Sequence, residues 1–310
     1  MAMRQTGPKL SAIERMGPCL NKRFPNNDFA PKYYGDLLAE YLGCGLSPPH
    51  VVREIETDDE GKFWSCVWEA LLFRHLNSAG YKLKNVVKRS GQKGPDFCVE
   101  IESQRIWIEA VVPSPEGIPA SWLEPPTHEP RVRSKPDAER VLRCTSVIAD
   151  KQRKFAHYLE TGIVEPHDVT VVAVNICRLS DWDVDGCGIS QLPLTMEAVF
   201  PIGPLGVPIS LDGSLAGPAR NLPRPSVPKN SGIKIQTANF LDPKFANISA
   251  ILQAHERWTR RHNLGLSVIH NPLAKNPLPR GQFGCCSEFV AEQRGDHYRL
   301  TDLLLGSAHD

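Results

Sequence analysis

The chain contains 310 residues, of which 41% are hydrophobic and 23% are charged, so it can bury the core of one large domain or two ordinary ones. Its net charge of +1 excludes a histone-like protein that binds polyanions by overall charge, although an enzyme can still gather basic residues on one face. The nine cysteines are odd in number and form no CxxC pair, which argues against a zinc site and against the disulfide framework of a secreted protein.

The N-terminus and the apolar runs indicate where the protein resides. Residues 1–28 carry charges and lack an apolar core, so no signal peptide is expected. No stretch approaches 18 consecutive apolar residues, so no membrane segment and no membrane partner are expected. The predicted location is the reducing cytoplasm.

The first half of the chain shows clear periodicity after a polar start. Residues 1 to about 30 are polar and contain proline, which predicts a loosely ordered beginning. Helical spacing of apolar residues predicts a helix from Tyr33 to Leu42 and a stronger one from Phe63 to Asn77. Three strands are then predicted in quick succession, at 81–88, 96–102 and 105–112.

A crossover connection follows these three strands. The chain reads as a long helix over 138–159 and then as a β-branched strand over 169–176. Residues 185–232 hold eight prolines and seven glycines, which predicts an extended surface loop or insertion. Further strands are predicted at 233–237, 248–253, 266–270, 283–292 and 297–300.

The order of these elements predicts an α/β protein with a mixed sheet flanked by helices and a β-rich C-terminal extension. The predicted organisation has four parts: a helical prefix at 1–60, a core at 61–180, the Pro/Gly-rich insertion at 181–232, and the β-rich extension at 233–310, packed on the core.

Two acidic residues in the core suggest chemistry. Asp96 stands in the sequence Gly94-Pro95-Asp96, and Glu109 follows thirteen residues later inside an apolar strand. A charge in such a strand is costly unless it is paired or bound to a metal. Two ionised carboxylates about 4 Å apart repel by about 4 kcal/mol at an effective dielectric constant of 20, so a site that holds both favours a cation.

This arrangement resembles the PD-(D/E)XK nuclease superfamily over residues 63 to about 177. Pro95 and Asp96 match the PD of the motif, and Glu109 matches its second acid. The resemblance implies a restriction-endonuclease-like fold and a Mg²⁺-dependent (or Mn²⁺-dependent) endonuclease that hydrolyses DNA, in defence or repair. It also implies that Asp96 and Glu109 are catalytic and bind the metal, with Glu69 of the preceding helix as a third ligand.

The sequence departs from the motif at its lysine, because Val111 stands two residues after Glu109. In this superfamily the lysine sometimes lies on the neighbouring helix instead. Lys151 and Lys154 occupy such a helix and are the candidate catalytic replacements.

Basic residues are concentrated between 131 and 154, where eight basic residues accompany three acidic ones. They are interpreted either as a solvated face or as a patch that follows phosphates next to the metal site. The candidate nucleic-acid contacts are Arg131, Arg133, Arg140, Arg143 and Arg153.

Two other hypotheses remain open from the sequence. The chain could be a catalytically inactive nuclease-fold module that binds nucleic acid or a protein, which the valine at position 111 favours. Alternatively, Glu109 could form a structural ion pair in an unrelated α/β protein. The resemblance also allows a homodimer, although the sequence carries no dimer signal of its own.

Overall fold

The structure is a computed structural model of the chain. It describes residues 11–45, 47, 50–84, 94–101, 104–124, 134–179, 186–257, 264–295, 297–304 and 308–309.

Seven α-helices are present in these ranges: α1 Ala12–Arg23, α2 Phe29–Gly43, α3 Val51–Ile55, α4 Glu60–Ser78, α5 Ala120–Leu123, α6 Asp137–Glu160 and α7 Met196–Val199. Two short 3₁₀ turns cover Asn239–Leu241 and Pro243–Phe245. The strands are β1 Leu83–Lys84, β2 Phe97–Ile101, β3 Gln104–Val111, β4 Val169–Asn175, β5 Ile202–Gly206, β6 Arg220–Pro223, β7 Ser226–Pro228, β8 Lys234–Gln236, β9 Ala250–Ala254, β10 Ser267–His270, β11 Ser287–Arg294, β12 His297–Asp302 and β13 Ala308–His309.

Nine of these strands form one mixed sheet in the order β1-β2-β3-β4-β9-β10-β11-β12-β13. The strands β1, β2 and β3 are antiparallel neighbours, as their short connections require. The long helix α6 lies between β3 and β4 in the chain, and these two strands pair in parallel. The predicted order of a helix, three strands, a helix and a strand is therefore confirmed, and the fold is a mixed α/β sheet flanked by helices.

Helices cover both faces of this sheet because its central strands are apolar on both sides. The helices α1 to α4 share one core with residues such as Ile106 and Ile108 of β3. The helix α6 and the segment around α7 share a second core with Trp107 and Val172. Trp68 of α4 is fully buried and donates a hydrogen bond from Nε1 to the carbonyl oxygen of Ala173, 3.0 Å away.

The N-terminal prefix is more regular than its composition predicted. Residues 1–10 lie outside the described residues, but Ala12–Arg23 forms a helix with a capping box between Ser11 and Glu14. Met16 and Leu20 of this helix are buried. The predicted loose order up to residue 30 is wrong for this segment, because two apolar residues one turn apart suffice to dock an otherwise polar helix.

The Pro/Gly-rich segment divides into two different parts. Residues 192–200 contain α7 and are buried against the sheet, which contradicts the prediction of a surface loop for that part. Residues 204–222 include no buried residue and are exposed as predicted. Proline and glycine interrupt regular structure, but they do not prevent the apolar residues between them from entering a core.

The C-terminal extension is part of the same sheet. The strand β9 pairs in parallel with β4, and β10 to β13 continue outward from it. The strands predicted at 248–253, 266–270, 283–292 and 297–300 correspond to β9, β10, β11 and β12. Within the described ranges, none of the helices combines the length and apolarity that crossing a bilayer needs.

The buried side chain of His75, in α4, connects this helix to the C-terminal extension by hydrogen bonds. Nε2 of His75 lies 2.7 Å from the carbonyl oxygen of Phe283, and Nδ1 accepts the backbone N–H of Leu264 at 3.0 Å. The ring is therefore neutral, with its proton on Nε2. Burial lowers the pKa of His75 below its usual 6.5, although the hydrogen bond to Phe283 opposes this shift.

This geometry predicts a stability that depends on pH. The folded protein binds fewer protons at His75 than the unfolded chain does, so the free energy of unfolding should fall as the pH drops below about 6.5. The substitution His75→Ala should cost about 2–3 kcal/mol at pH 7.5 and flatten that dependence, as measured by urea unfolding. His157→Ala, at an exposed position of α6, is the control and should leave both quantities unchanged.

Candidate metal centre at the β2–β3 edge

Glu109 lies near the carboxyl end of β3, in a strand that is apolar on both faces. Ile106, Ile108 and Ala110 point towards α4, while Trp107 and Glu109 point towards α6. Only 1% of Glu109 is exposed. A carboxylate buried to this degree requires charged or hydrogen-bonding partners.

Asp96 faces Glu109 across the first two long strands. Phe97 pairs with Ile108 in the antiparallel register, so Asp96, which immediately precedes β2, comes opposite Glu109. Its Oδ2 accepts the backbone N–H of Ala110 at 2.8 Å, which fixes the carboxylate against β3. Burial and the neighbouring charge of Glu109 raise the pKa of Asp96 to about 6, against the opposing effect of Lys151.

The partners of Glu109 come from α6. Lys151, Lys154 and Tyr158 follow one another at intervals of three and four residues, which places them on one face of the helix. The Lys151 ammonium forms an ion pair with Oε2 of Glu109, and Nζ of Lys154 lies 3.4 Å from the same oxygen. The hydroxyl of Tyr158 donates to Oε1 at 2.8 Å.

These contacts determine the charge state of the site. Burial disfavours ionisation of Glu109, but the charges of Lys151 and Lys154 outweigh it and lower the pKa of this carboxyl below its usual range. In the same way burial opposes the charge of Lys151, but Glu109 and Asp96 raise its pKa. The pKa of Tyr158 is raised by burial and by Glu109, so the phenol stays protonated and remains a donor.

Glu69, the third predicted ligand, accepts a hydrogen bond from a tyrosine of α2. It lies on α4, partly buried, and its Oε2 accepts a hydrogen bond from the hydroxyl of Tyr41 at 3.1 Å. Burial, and then the charges of Glu69 and Asp96, raise the pKa of Tyr41, so both carboxylates act on this one phenol. Among the residues that the structure describes, no three His, Cys, Asp or Glu side chains are grouped closely enough to hold a metal ion.

The donor set nevertheless agrees in kind with a hard divalent ion. Asp96 and Glu109 supply carboxylate oxygens, which Mg²⁺ prefers, and Mg²⁺ commonly keeps several waters beside one or two carboxylates. The oxygens of Glu109 already accept from Lys151 and Tyr158. An ion at this place would therefore share Oε2 with an ammonium group or displace it.

The five arginines that were predicted to contact nucleic acid fall into three groups: outside the described residues, buried, and lining a groove. Arg131 and Arg133 lie outside the described residues. Arg140 is fully buried, so it presents no surface to a nucleic acid, contrary to the prediction. Arg143 and Arg153 both line a groove of about 640 Å³ between α6 and the β7–β8 hairpin, where each also contacts an acidic residue, Glu116 and Asp150 respectively.

Two tyrosines belong to the site although the sequence analysis did not include them. Tyr158 follows Lys154 by four residues on a helix already assigned to the site, so helical spacing carried a usable signal. Tyr41 belongs to α2, and its contact with Glu69 arises only from the packing of α2 on α4. No local pattern in the sequence indicates that contact.

The buried pair of Lys151 and Glu109 should dominate the attachment of α6. Either Lys151→Met or Glu109→Gln leaves the remaining partner buried without its nearest counter-charge, so each should lower the free energy of unfolding by about 3–5 kcal/mol. The double variant should lose clearly less than the sum of the two, as measured by urea unfolding. The exposed pair of Asp150 and Arg153 is the matched control, with an expected cost of about 0–1 kcal/mol. Losses no larger than this control would contradict the buried ion pair.

Comparison with known proteins found no matching family model, no matching curated protein and no matching solved structure.

Proposed function

We propose that this protein is a metal-dependent nuclease with a restriction-endonuclease-like core, which hydrolyses phosphodiester bonds of DNA and takes part in defence or repair. The observation that carries the proposal is the convergence of Asp96, Glu109 and two lysines of α6 at one place. The resemblance to PD-(D/E)XK nucleases assigns metal binding to these two acids, and it assigns the role of the missing lysine to a lysine of the neighbouring helix.

The two carboxylates are the proposed metal ligands. A bound Mg²⁺ or Mn²⁺ would neutralise charge on the phosphate and make a water more acidic. Asp96 is oriented by the backbone N–H of Ala110, and Glu109 is oriented by Tyr158, so both would meet the ion in fixed positions. Glu69 would bind the ion through a bridging water, or directly once its hydrogen bond to Tyr41 is broken. Of the three proposed ligands it has the least support.

The two lysines differ in exposure, and this difference assigns them different roles in the proposal. The side chain of Lys151 is 10% exposed, whereas that of Lys154 is 48% exposed. A group that stabilises charge on a phosphate must be reachable by the substrate, which favours Lys154 as the replacement for the lysine missing at position 111. Lys151 would position Glu109 and keep it ionised.

A specific observation supports the alternative of an inactive module. Both carboxylate oxygens of Glu109 accept hydrogen bonds from protein donors, and Glu109 is almost completely buried. An ion pair closed in this way needs no metal. In that case the fold would bind nucleic acid or a protein partner without cleaving.

Cleavage of supercoiled and single-stranded DNA with Mg²⁺ or Mn²⁺ tests the proposal. We expect cleavage by the wild-type protein and none by Asp96→Ala or Glu109→Gln, because each removes a ligand oxygen or its charge. Lys154→Met should lower the rate by about 10²–10³ with little change in unfolding free energy, since this ammonium is half exposed. Lys275→Met, the same substitution at an exposed position outside the site, should retain full activity.

The outcomes separate the two candidate functions. Absence of cleavage by well-folded wild-type protein with either metal, together with retained DNA binding, would favour the inactive module. Cleavage that persists in Asp96→Ala would reject the assigned site.

The raised pKa of Asp96 predicts a pH profile for metal binding. An ion binds the ionised carboxylate, and Asp96 loses its proton at about pH 6, so Mn²⁺ affinity should rise up to that pH and level off above it. Isothermal titration with Mn²⁺ at about pH 5 and 7.5 should show clearly tighter binding at the higher pH. Asp96→Asn should bind weakly at both values, and equal wild-type affinities would contradict the role of Asp96.

A further inference from the structure

A β-ribbon formed by residues 204–222 extends from the body of the protein. The strands β5 and β6 pair at its base, and a bridge between Ile209 and Leu215 continues the pairing towards the tip. None of these nineteen residues is buried, whereas Ile202 and Gly203, just before them, are. At about 3.3 Å per residue, the nine residues from the base to the tip span about 25–30 Å. We call residues 204–222 the arm.

The arm carries most of the exposed large apolar side chains of the described residues. Ten such side chains are exposed in these residues, and six of them belong to the arm. They are Leu205, Val207, Ile209, Leu211, Leu215 and Leu222.

Three of the six alternate along the outgoing segment. Leu205, Val207 and Ile209 are spaced two residues apart, which puts them on one face of an extended chain, and Leu211 follows in the turn at the tip. Leu215 joins them as the cross-strand partner of Ile209. This alternation is typical of a strand with one face in a core. Here the large apolar side chains of that face are exposed in the part of the chain that the structure describes.

The charge of the arm restricts what could cover it. Asp212 and Arg220 are its only charged residues, so its formal net charge is zero. A nucleic acid or an anionic membrane would select basic residues, and the arm has a single arginine. A second apolar surface can bind it without burying an unpaired charge.

We infer that the arm of one molecule packs against the arm of a second copy of this chain, so that the two arms form a homodimer about a two-fold axis. Two arms related by such an axis present the same uncharged apolar stripe to each other, and self-complementarity is what an isologous interface requires. The unpaired edges of the two-stranded ribbon offer backbone donors and acceptors for the same contact.

The size of the arm agrees with this role. A standard protein interface uses about 20–30 residues on each side, and the arm supplies nineteen, of which fourteen are exposed and five are partly buried. An interface built mainly from one slender ribbon should be of modest affinity. We therefore expect a dissociation constant in the micromolar range. This inference is independent of the proposed nuclease function.

Sedimentation velocity of the full chain from about 1 to about 100 μM tests the inference, since micromolar affinity places the transition within this range. The wild-type protein should shift from monomer to dimer as its concentration rises. The variant Ile209→Ser/Leu211→Ser should weaken the dimer at least about tenfold, because it interrupts the apolar stripe. At a concentration well below the dissociation constant, where both proteins are monomeric, its thermal unfolding should match that of the wild type, because neither side chain is buried.

The control is Ile13→Ser, which removes an apolar side chain of similar exposure from α1 and should leave the dimer intact. A wild-type protein that remains monomeric over the whole range would overturn the inference. So would a dimer that the arm variant retains, or a monomer whose arm instead binds vesicles of uncharged phosphatidylcholine.

Discussion

The carboxylate of Glu109 sits inside an apolar strand, and its need for counter-charges governs how α6 packs on the sheet. Leaving such a charge unpaired would cost several kcal/mol, so the helix must bring cations to it. Lys151, Lys154 and Tyr158 reach Glu109 together only at one rotation of α6 and one position along its axis. The ion pair thus fixes the register of the longest helix against β3. The apolar residues of α6 also stabilise its packing on the sheet, but apolar burial is far less directional than an ion pair.

The same constraint explains how ammonium groups reach Glu109 although β3 carries no lysine at position 111. A residue two positions after Glu109 shares its face of the strand, and here that residue is Val111. The helix α6 covers this face, and its residues Lys151 and Lys154 place their ammonium groups at Glu109. A strand lysine and a helix lysine can therefore place charge at similar points, although the helix needs the crossover geometry between β3 and β4 to be correct. One ammonium is enclosed and the other remains accessible, which a single lysine on the strand could not provide.

How far the sequence predicts this structure depends on how local each signal is. The helix α4 and the strands β3 and β4 follow from periodicity, and the pairing of Asp96 with Glu109 follows from the hairpin between their strands. The hydrogen bond from Tyr41 to Glu69 could not be predicted, because it depends on the packing of two helices that are separate in sequence. Residues 192–200 were misassigned for a similar reason. Their prolines and glycines are visible locally, whereas the sheet that buries them is assembled from distant strands.

The structural and the catalytic interpretation of Glu109 both depend on the net charge of the groups around it. Asp96 and Glu109 carry up to two negative charges, and Lys151 and Lys154 carry two positive ones, so the site is neutral when both acids are ionised. A divalent ion would bind carboxylate oxygens at about 2.0–2.1 Å, but it would add positive charge to a place already neutralised and would have to lose water. An incoming phosphate reverses this balance, because its negative charge attracts both the ion and the exposed Lys154. For the proposed nuclease, the arrangement therefore favours an ion that binds together with the anionic substrate over one that binds alone.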